Sequence, residues 1–235
     1  MNQTQSSIEA VVFDAYGTLF NVHSVVALCE ELFPGKGAQL SQLWRGKQLE
    51  YSWQRSLMQR YEDFWRITAA GLDYACDALK LECSGAQRER LMQAYLHLRP
   101  YAEVPDILRA LKPMPLAILS NGSPAMLDAL VRNAAMQDLF AHVISVDAVR
   151  CYKPDPRVYQ LAADRLQLAK SSIAFVSANG WDIAGCAAFG FTPVWVNRSG
   201  QPRERLGVEP AAILSSLTDL PTYLAQKTAA GSGVK

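Results

Sequence analysis

A chain of 235 residues, half of them hydrophobic and 19% charged, has the length for one large domain or a domain carrying an insert. Its formal charge is +1 with Lys and Arg scattered, which excludes the basic face of a nucleic-acid binder and the cationic helix of a membrane-surface protein. No apolar stretch is long enough to cross a bilayer, and residues 1–9 are polar and lack the apolar centre of a secretory signal. The five cysteines, at 29, 76, 83, 151 and 186, are odd in number and lack metal-site spacing, so they read as reduced thiols of a cytoplasmic protein.

Along the chain, the first apolar run, 8–13, reads as a strand. A block from 22 to 98 follows with no convincing strand. There Leu49, Trp53, Leu57, Tyr61 and Trp65 recur every fourth residue, the spacing of an apolar helical stripe, and helical patterns cover 71–81 and 87–98. Strands are then predicted at 116–119, 142–146, 173–176 and 193–196, with helices at 124–135, 156–168 and 181–189 between them. A weaker strand at 212–214 and a helix at 220–226 precede a small polar tail, 228–235, expected to fray. Strands alternating with helices predict an α/β fold, a Rossmann-like parallel sheet with helices on both faces. The block 22–98 is read as a helical cap inserted into a core of 1–21 and 99–235.

In open α/β sheets, ligands collect beyond the carboxyl ends of the strands. Here those ends carry Asp14-Ala15-Tyr16-Gly17-Thr18, Ser120-Asn121-Gly122, Tyr152-Lys153-Pro154-Asp155 and Ser177-Ala178-Asn179-Gly180-Trp181-Asp182. Any one of them could be a turn or a helix cap. Four that converge on one edge, offering a carboxylate, a hydroxyl with an amide, an ammonium and a second carboxylate, point to a reaction centre with Asp14 as nucleophile. Arg45 lies on the same side of its helix as Leu49, and an inward guanidinium needs an anion; a snorkelling stem or an ion pair with a cap glutamate are the alternatives.

The order of D-x-x-G-T, S-N-G, K-P and a final Asp cluster resembles the haloacid dehalogenase superfamily over nearly the whole chain, which implies its core fold and cap. Phosphatases of that superfamily carry a second Asp two residues after the nucleophile and an acid pair at the last motif. Here Tyr16 and Ser177 stand at those places. That removes the acid for the leaving alcohol and one ligand of a hard divalent ion. The segments Phe13–Phe20, Leu43-Trp44-Arg45, Leu119–Gly122, Tyr152–Asp155 and Phe175–Ser177 are more similar to the L-2-haloacid dehalogenases.

That resemblance implies hydrolysis of short L-2-haloalkanoic acids to D-2-hydroxy acids with neither metal nor cofactor. The small-molecule haloacid and the halide ion would be the ligands, in a homodimer. Asp14 would form the ester, oriented by Thr18. Ser120 and the backbone N–H groups of Ala15 and Tyr16 would cradle the substrate carboxylate, and Lys153, supported by Tyr159, would offset its charge. Arg45 and Asn121, with the edge of Trp181, would take the halide, and Leu49, Phe64 and Trp181 would line the apolar pocket. Asp182 would be the base for ester hydrolysis, with Ser177 and Asn179 placing the water. Alone, Asp182 reads as a helix N-terminal acid and Tyr159 as core. Two departures stand out: Gly46, where relatives often have Gln, is expected to remove a polar pocket wall, and Ala178, where they repeat Ser, to slow turnover. A phosphatase on the same fold and a silent binding protein are the rival readings.

Overall fold

The computed structural model describes residues 7–231, with side chains to residue 227, so most of the polar N-terminal segment lies outside the described residues. Six parallel strands, β1 (Ala10–Phe13), β2 (Leu116–Ser120), β3 (His142–Ser145), β4 (Ile173–Ser177), β5 (Thr192–Val196) and β6 (Ala212–Leu214), form one sheet in the order β3-β2-β1-β4-β5-β6. β1, β2 and β4 are buried along their whole length, as continuous apolar runs in a covered parallel sheet must be. The edge strand β3 buries only Ile144, leaves Val143 exposed and stops at Ser145, so Val146 falls in a short 3-10 turn and not in the expected strand.

Phe13 pairs with both Ile118 and Val176, so Asp14, Leu119 and Ser177 emerge side by side at the switch in strand order. Right-handed crossovers put α5 (Val104–Ala110) and α6 (Pro124–Asn133) on one face, and α7 (Pro156–Leu166) and α8 (Gly180–Phe189) on the other. α9 (Leu220–Gly231) packs on α5, and α7 on α8. α9 runs past its expected end at 226 into the segment expected to fray; residues 232–235 lie outside the described residues.

Between β1 and α5 come α1 (Ser24–Leu32), α2 (Gly37–Leu57), α3 (Phe64–Ala78) and α4 (Gly85–Ala94). α2 packs on α1 and α3. Its start has no side-chain cap of its own; the Glu30 carboxylate of α1 accepts from the N–H groups of Gly35 and Gly37 (2.5 and 2.8 Å) at its positive end. Asp63 caps α3, and Ser84 with Gln87 forms a capping box on α4, which ends at Ala94 and so short of the predicted 98. The chain enters and leaves this helical block through paired segments. Asn21 donates to the Arg99 carbonyl (2.8 Å), Tyr101 to the Leu19 carbonyl (3.0 Å), and Phe20 faces Pro100.

The single stripe from Leu49 to Trp65 is corrected by the structure. α2 ends at Leu57, which is 84% exposed, Tyr61 lies in the connection, and Trp65 belongs to α3. The buried stripe of α2 is Gly37, Leu40, Trp44, Gln48 and Ser52, one position earlier. Two of those residues are polar, so hydrophobicity pointed to the neighbouring row.

Candidate active site

Asp14 closes β1 with its N–H bonded to the Val176 carbonyl (2.9 Å), which fixes where its side chain departs. Its Oδ2 accepts from Thr18 Oγ1 (3.1 Å) and from Asn179 Nδ2 (2.8 Å), and its Oδ1 from Lys153 Nζ (3.0 Å). Thr18 is held in turn, since its Oγ1 accepts from the Ala178 N–H (2.8 Å). The backbone at 178 therefore does the orienting: its carbonyl also accepts from Trp195 Nε1 (3.2 Å), and neither bond needs a side chain there. Ser177 is fully buried and its Oγ accepts from the Asn179 N–H (3.1 Å), which sets Asn179 beside Asp14.

Lys153 is fully buried and donates a second bond to Asp182 Oδ2 (2.9 Å), with its Nζ 4.9 Å from the centre of the Phe175 ring. Burial works against its charge, but the two carboxylates outweigh it and hold the ammonium above its ordinary pKa. Asp182 Oδ1 accepts from Tyr159 OH (2.7 Å), so Tyr159 reaches the lysine only through Asp182. Burial, and then the charge of Asp14, push the Asp182 pKa up to about 6 against the opposing pull of Lys153 and Tyr159. Gly185 makes room for this contact: a Cβ there would stand 2.4 Å from the Tyr159 hydroxyl. Among the described residues no group of three His, Cys, Asp or Glu side chains is arranged to hold a metal ion.

Asn121 Oδ1 accepts from the Lys153 N–H (3.1 Å), which fixes the oxygen side of the amide and leaves both NH₂ hydrogens on the other. Ser120 is fully buried, and its Oγ accepts from the Gly122 N–H (3.1 Å). Gly122 lets the Tyr16 ring approach, because a Cβ there would lie 2.9 Å from Tyr16 Cε2. Tyr16 and Ala15 are buried, and the Tyr16 hydroxyl has no partner among the described residues. Burial, then the charges of Tyr95 and Asp14, raise its pKa, so the hydroxyl stays a proton donor.

From the helical block, Phe64 at the start of α3 lies 5.7 Å from the Tyr16 ring centre. Trp181 at the start of α8 meets Trp53 edge-on at 5.4 Å, and Trp53 Nε1 donates to the Lys153 carbonyl (3.2 Å). Arg45, on α2, is half-buried and lines a cavity of about 430 Å³ with Val22, His23, Tyr95 and others. Its Nη1 donates to Gln48 Oε1, so neither alternative reading, a free snorkelling head or a glutamate pair, describes it. Leu49, one turn on, is half-buried. Gly46 is exposed, and a Cβ there meets nothing within 4 Å, so a larger side chain at this position would enter open space.

Sequence reasoning missed Gln48, Trp53 and Arg198. Arg198 donates to the Thr18 carbonyl (3.2 Å) and Glu103 (2.5 Å) across the Tyr101 ring. Nothing in the sequence ties residue 198 to residue 18. For Gln48 the signal was its spacing, three residues after Arg45.

The buried Asp14 carboxylate is braced by Thr18, Asn179 and Lys153, and the haloacid dehalogenase-like hydrolase profile matches residues 8–190. The chain belongs to the haloacid dehalogenase-like hydrolases. The (S)-2-haloacid dehalogenase of Pseudomonas sp. (strain YL) is 49% identical over 230 residues, 97% of this chain and 98% of the relative. A crystal structure of an L-2-haloacid dehalogenase matches with a TM-score of 0.92 at 47% identity, covering 94% of this chain and all of that one. The L-2-haloacid dehalogenase of Xanthobacter autotrophicus, solved with chloropropionic acid covalently bound, matches with a TM-score of 0.89 at 41% identity over 93% and 98% of the two chains.

Proposed function

We propose that this hydrolase cleaves the carbon–halogen bond of short L-2-haloalkanoic acids through an ester on Asp14, giving D-2-hydroxy acids. The observation that carries the reading is the buried set Asp14–Lys153–Asp182, a nucleophile and a base joined by one ammonium. A carboxylate oxygen of Asp14 bonds to C2 as the C2–halogen bond breaks and the halide leaves with its electron pair, which inverts C2. Ser120 and the backbone N–H groups of Ala15 and Tyr16 hold the substrate carboxylate. Arg45, the Asn121 NH₂ and the Trp181 edge receive the halide, and Leu49, Phe64 and Trp181 line the apolar side.

Water held by Ser177 and Asn179 then attacks the Asp14 ester carbon while Asp182 takes its proton. The bond between that carbon and the alkyl oxygen breaks, the alkoxide takes up the proton, and C2 is not touched again. The relative solved with chloropropionic acid covalently bound supports an ester intermediate. No observation favours the phosphatase alternative, since the residue two places after the nucleophile is Tyr16.

We read residues 22–98 as the cap and the described residues of 1–21 and 99–235 as the core, a division supported by the paired connections at Asn21–Arg99 and Leu19–Tyr101. A homodimer through the cap is supported by Leu57 and Met58, 84% and 60% exposed at the end of α2. A cytoplasmic site is supported by the five free cysteines.

The test is halide release from L- and D-2-chloropropionate with chelator present. Release from the L enantiomer alone is expected, and over many turnovers in heavy-oxygen water the label enters the Asp14 side chain. No halide from either enantiomer would overturn the reading; an unlabelled Asp14 would replace the ester with direct attack by water.

A further inference from the structure

Gln48 and Thr68 are both fully buried where α2 packs on α3, far from any solvent that could satisfy them. Thr68 Oγ1 donates to the Phe64 carbonyl one turn back (2.6 Å). Its single proton is thereby spent, so the oxygen can only accept, and Gln48 Nε2 donates to it (2.6 Å). That leaves Gln48 Oε1 no choice but to face the other way, onto Arg45 Nη1. The amide orientation is thus dictated by partners at both ends. Trp44 Nε1 bonds to the Thr68 carbonyl (2.7 Å) and clamps the same turn of α3 to α2. Phe64, at the far end of the chain of bonds, packs on Tyr16 beside the nucleophile.

We propose that Gln48 and Thr68 are positioning residues that set the direction of the Arg45 guanidinium toward the departing halide. The inference rests on the reading of Arg45 as a halide donor. An arginine on a long flexible stem, tied at one Nη by a buried acceptor, keeps its remaining N–H groups pointed at one place, and a donor fixed before reaction costs no reorganisation when charge develops. An acid at position 48 would hold the guanidinium by its charge and draw it away from an anion. The neutral amide orients it without neutralising it.

A halide donor matters more for chloride, the smaller and poorer leaving group, than for bromide. The readout is therefore the ratio of kcat/KM for L-2-bromopropionate to that for L-2-chloropropionate. Gln48→Met and Thr68→Val are expected to lower kcat/KM for L-2-chloropropionate about tenfold, the worth of one hydrogen bond to a charged group, and that for L-2-bromopropionate by less, so that the ratio rises. They should also weaken inhibition by added chloride, and Thr68→Ser, which keeps the hydroxyl, should return the ratio to the wild-type value. A fall in folded protein lowers both rates alike and leaves the ratio unmoved. An unchanged ratio in Gln48→Met, with active wild type, would overturn the proposal. If that variant does not fold, the Thr68 pair decides: the same ratio in Val and Ser overturns it. Wild type that releases no halide from either substrate overturns the dehalogenase reading first and this inference with it.

Discussion

Lys153 lies fully buried between the carboxylates of Asp14 and Asp182, and its removal would leave two like charges in a dry site. Breaking a buried ion pair from one side costs about 3–5 kcal/mol. Lys153→Met should therefore lose that much in chemical denaturation as well as losing halide release. A variant as stable as wild type would show that the carboxylates are hydrated. Asp182 makes a second prediction. A base is useful only when ionised; burial and the Asp14 charge push the Asp182 pKa up to about 6 in the free enzyme, and esterification removes that charge and so lowers it again. In rapid-quench experiments the Asp14 ester should therefore build up in acid, with its onset below pH about 6, and stay scarce at neutral pH. Gly185→Ala, which drives a Cβ into the Tyr159 hydroxyl, should cause the same accumulation at neutral pH by turning Tyr159 away from Asp182. Asp14, Lys153 and Asp182 were legible in the sequence because their segments follow strand ends that converge on one edge, although Asp182 alone reads as a helix N-terminal acid. The Tyr159–Asp182 contact was not, since the two residues lie on different helices and meet only because residue 185 is glycine.

At the level of elements, α2 does two things at once. Its middle carries Arg45, and its last turns fasten the loop that carries Lys153: Trp53 donates to the Lys153 carbonyl, and Ser56 Oγ accepts from the Tyr152 N–H (2.9 Å). The connection after it adds Tyr61 on Asp147 (2.7 Å), and Tyr152 donates back to the Glu62 carbonyl (2.6 Å). Trp53→Phe keeps the ring and deletes one bond, worth about 1 kcal/mol. It should lower turnover while leaving the melting temperature close to wild type; an unaltered kcat would show that the loop holds itself. Strands and most helices of the core were readable because burial on both faces demands unbroken apolar runs. α1 and α5, of nine and seven residues, were not predicted, and α2 was read one row out of register. Its inward row includes Gln48 and Ser52, polar residues whose partners belong to distant segments that no local pattern reveals.

In the molecule as a whole, Asp182 links stability and activity to pH in opposite senses. Asp182 is shifted from 3.8 to about 6, so the folded chain holds a proton that the unfolded chain releases. That contribution is full at the acid end of the interval and is lost as pH rises through about 6, where the base becomes competent. Melting temperature should consequently slope downward from pH about 4 to about 6 on account of this group, and the slope should flatten in Asp182→Asn. An unchanged slope would assign it to other groups. The paired connections between residues 19–21 and 99–101 bear on how substrate enters. Two segments bonded to each other cannot slide independently, so a displacement at one crossing is a displacement at both. Arg45 and Trp53 ride on one helix, so any movement of α2 that carried Arg45 away would also stretch the Trp53 bond to the Lys153 carbonyl.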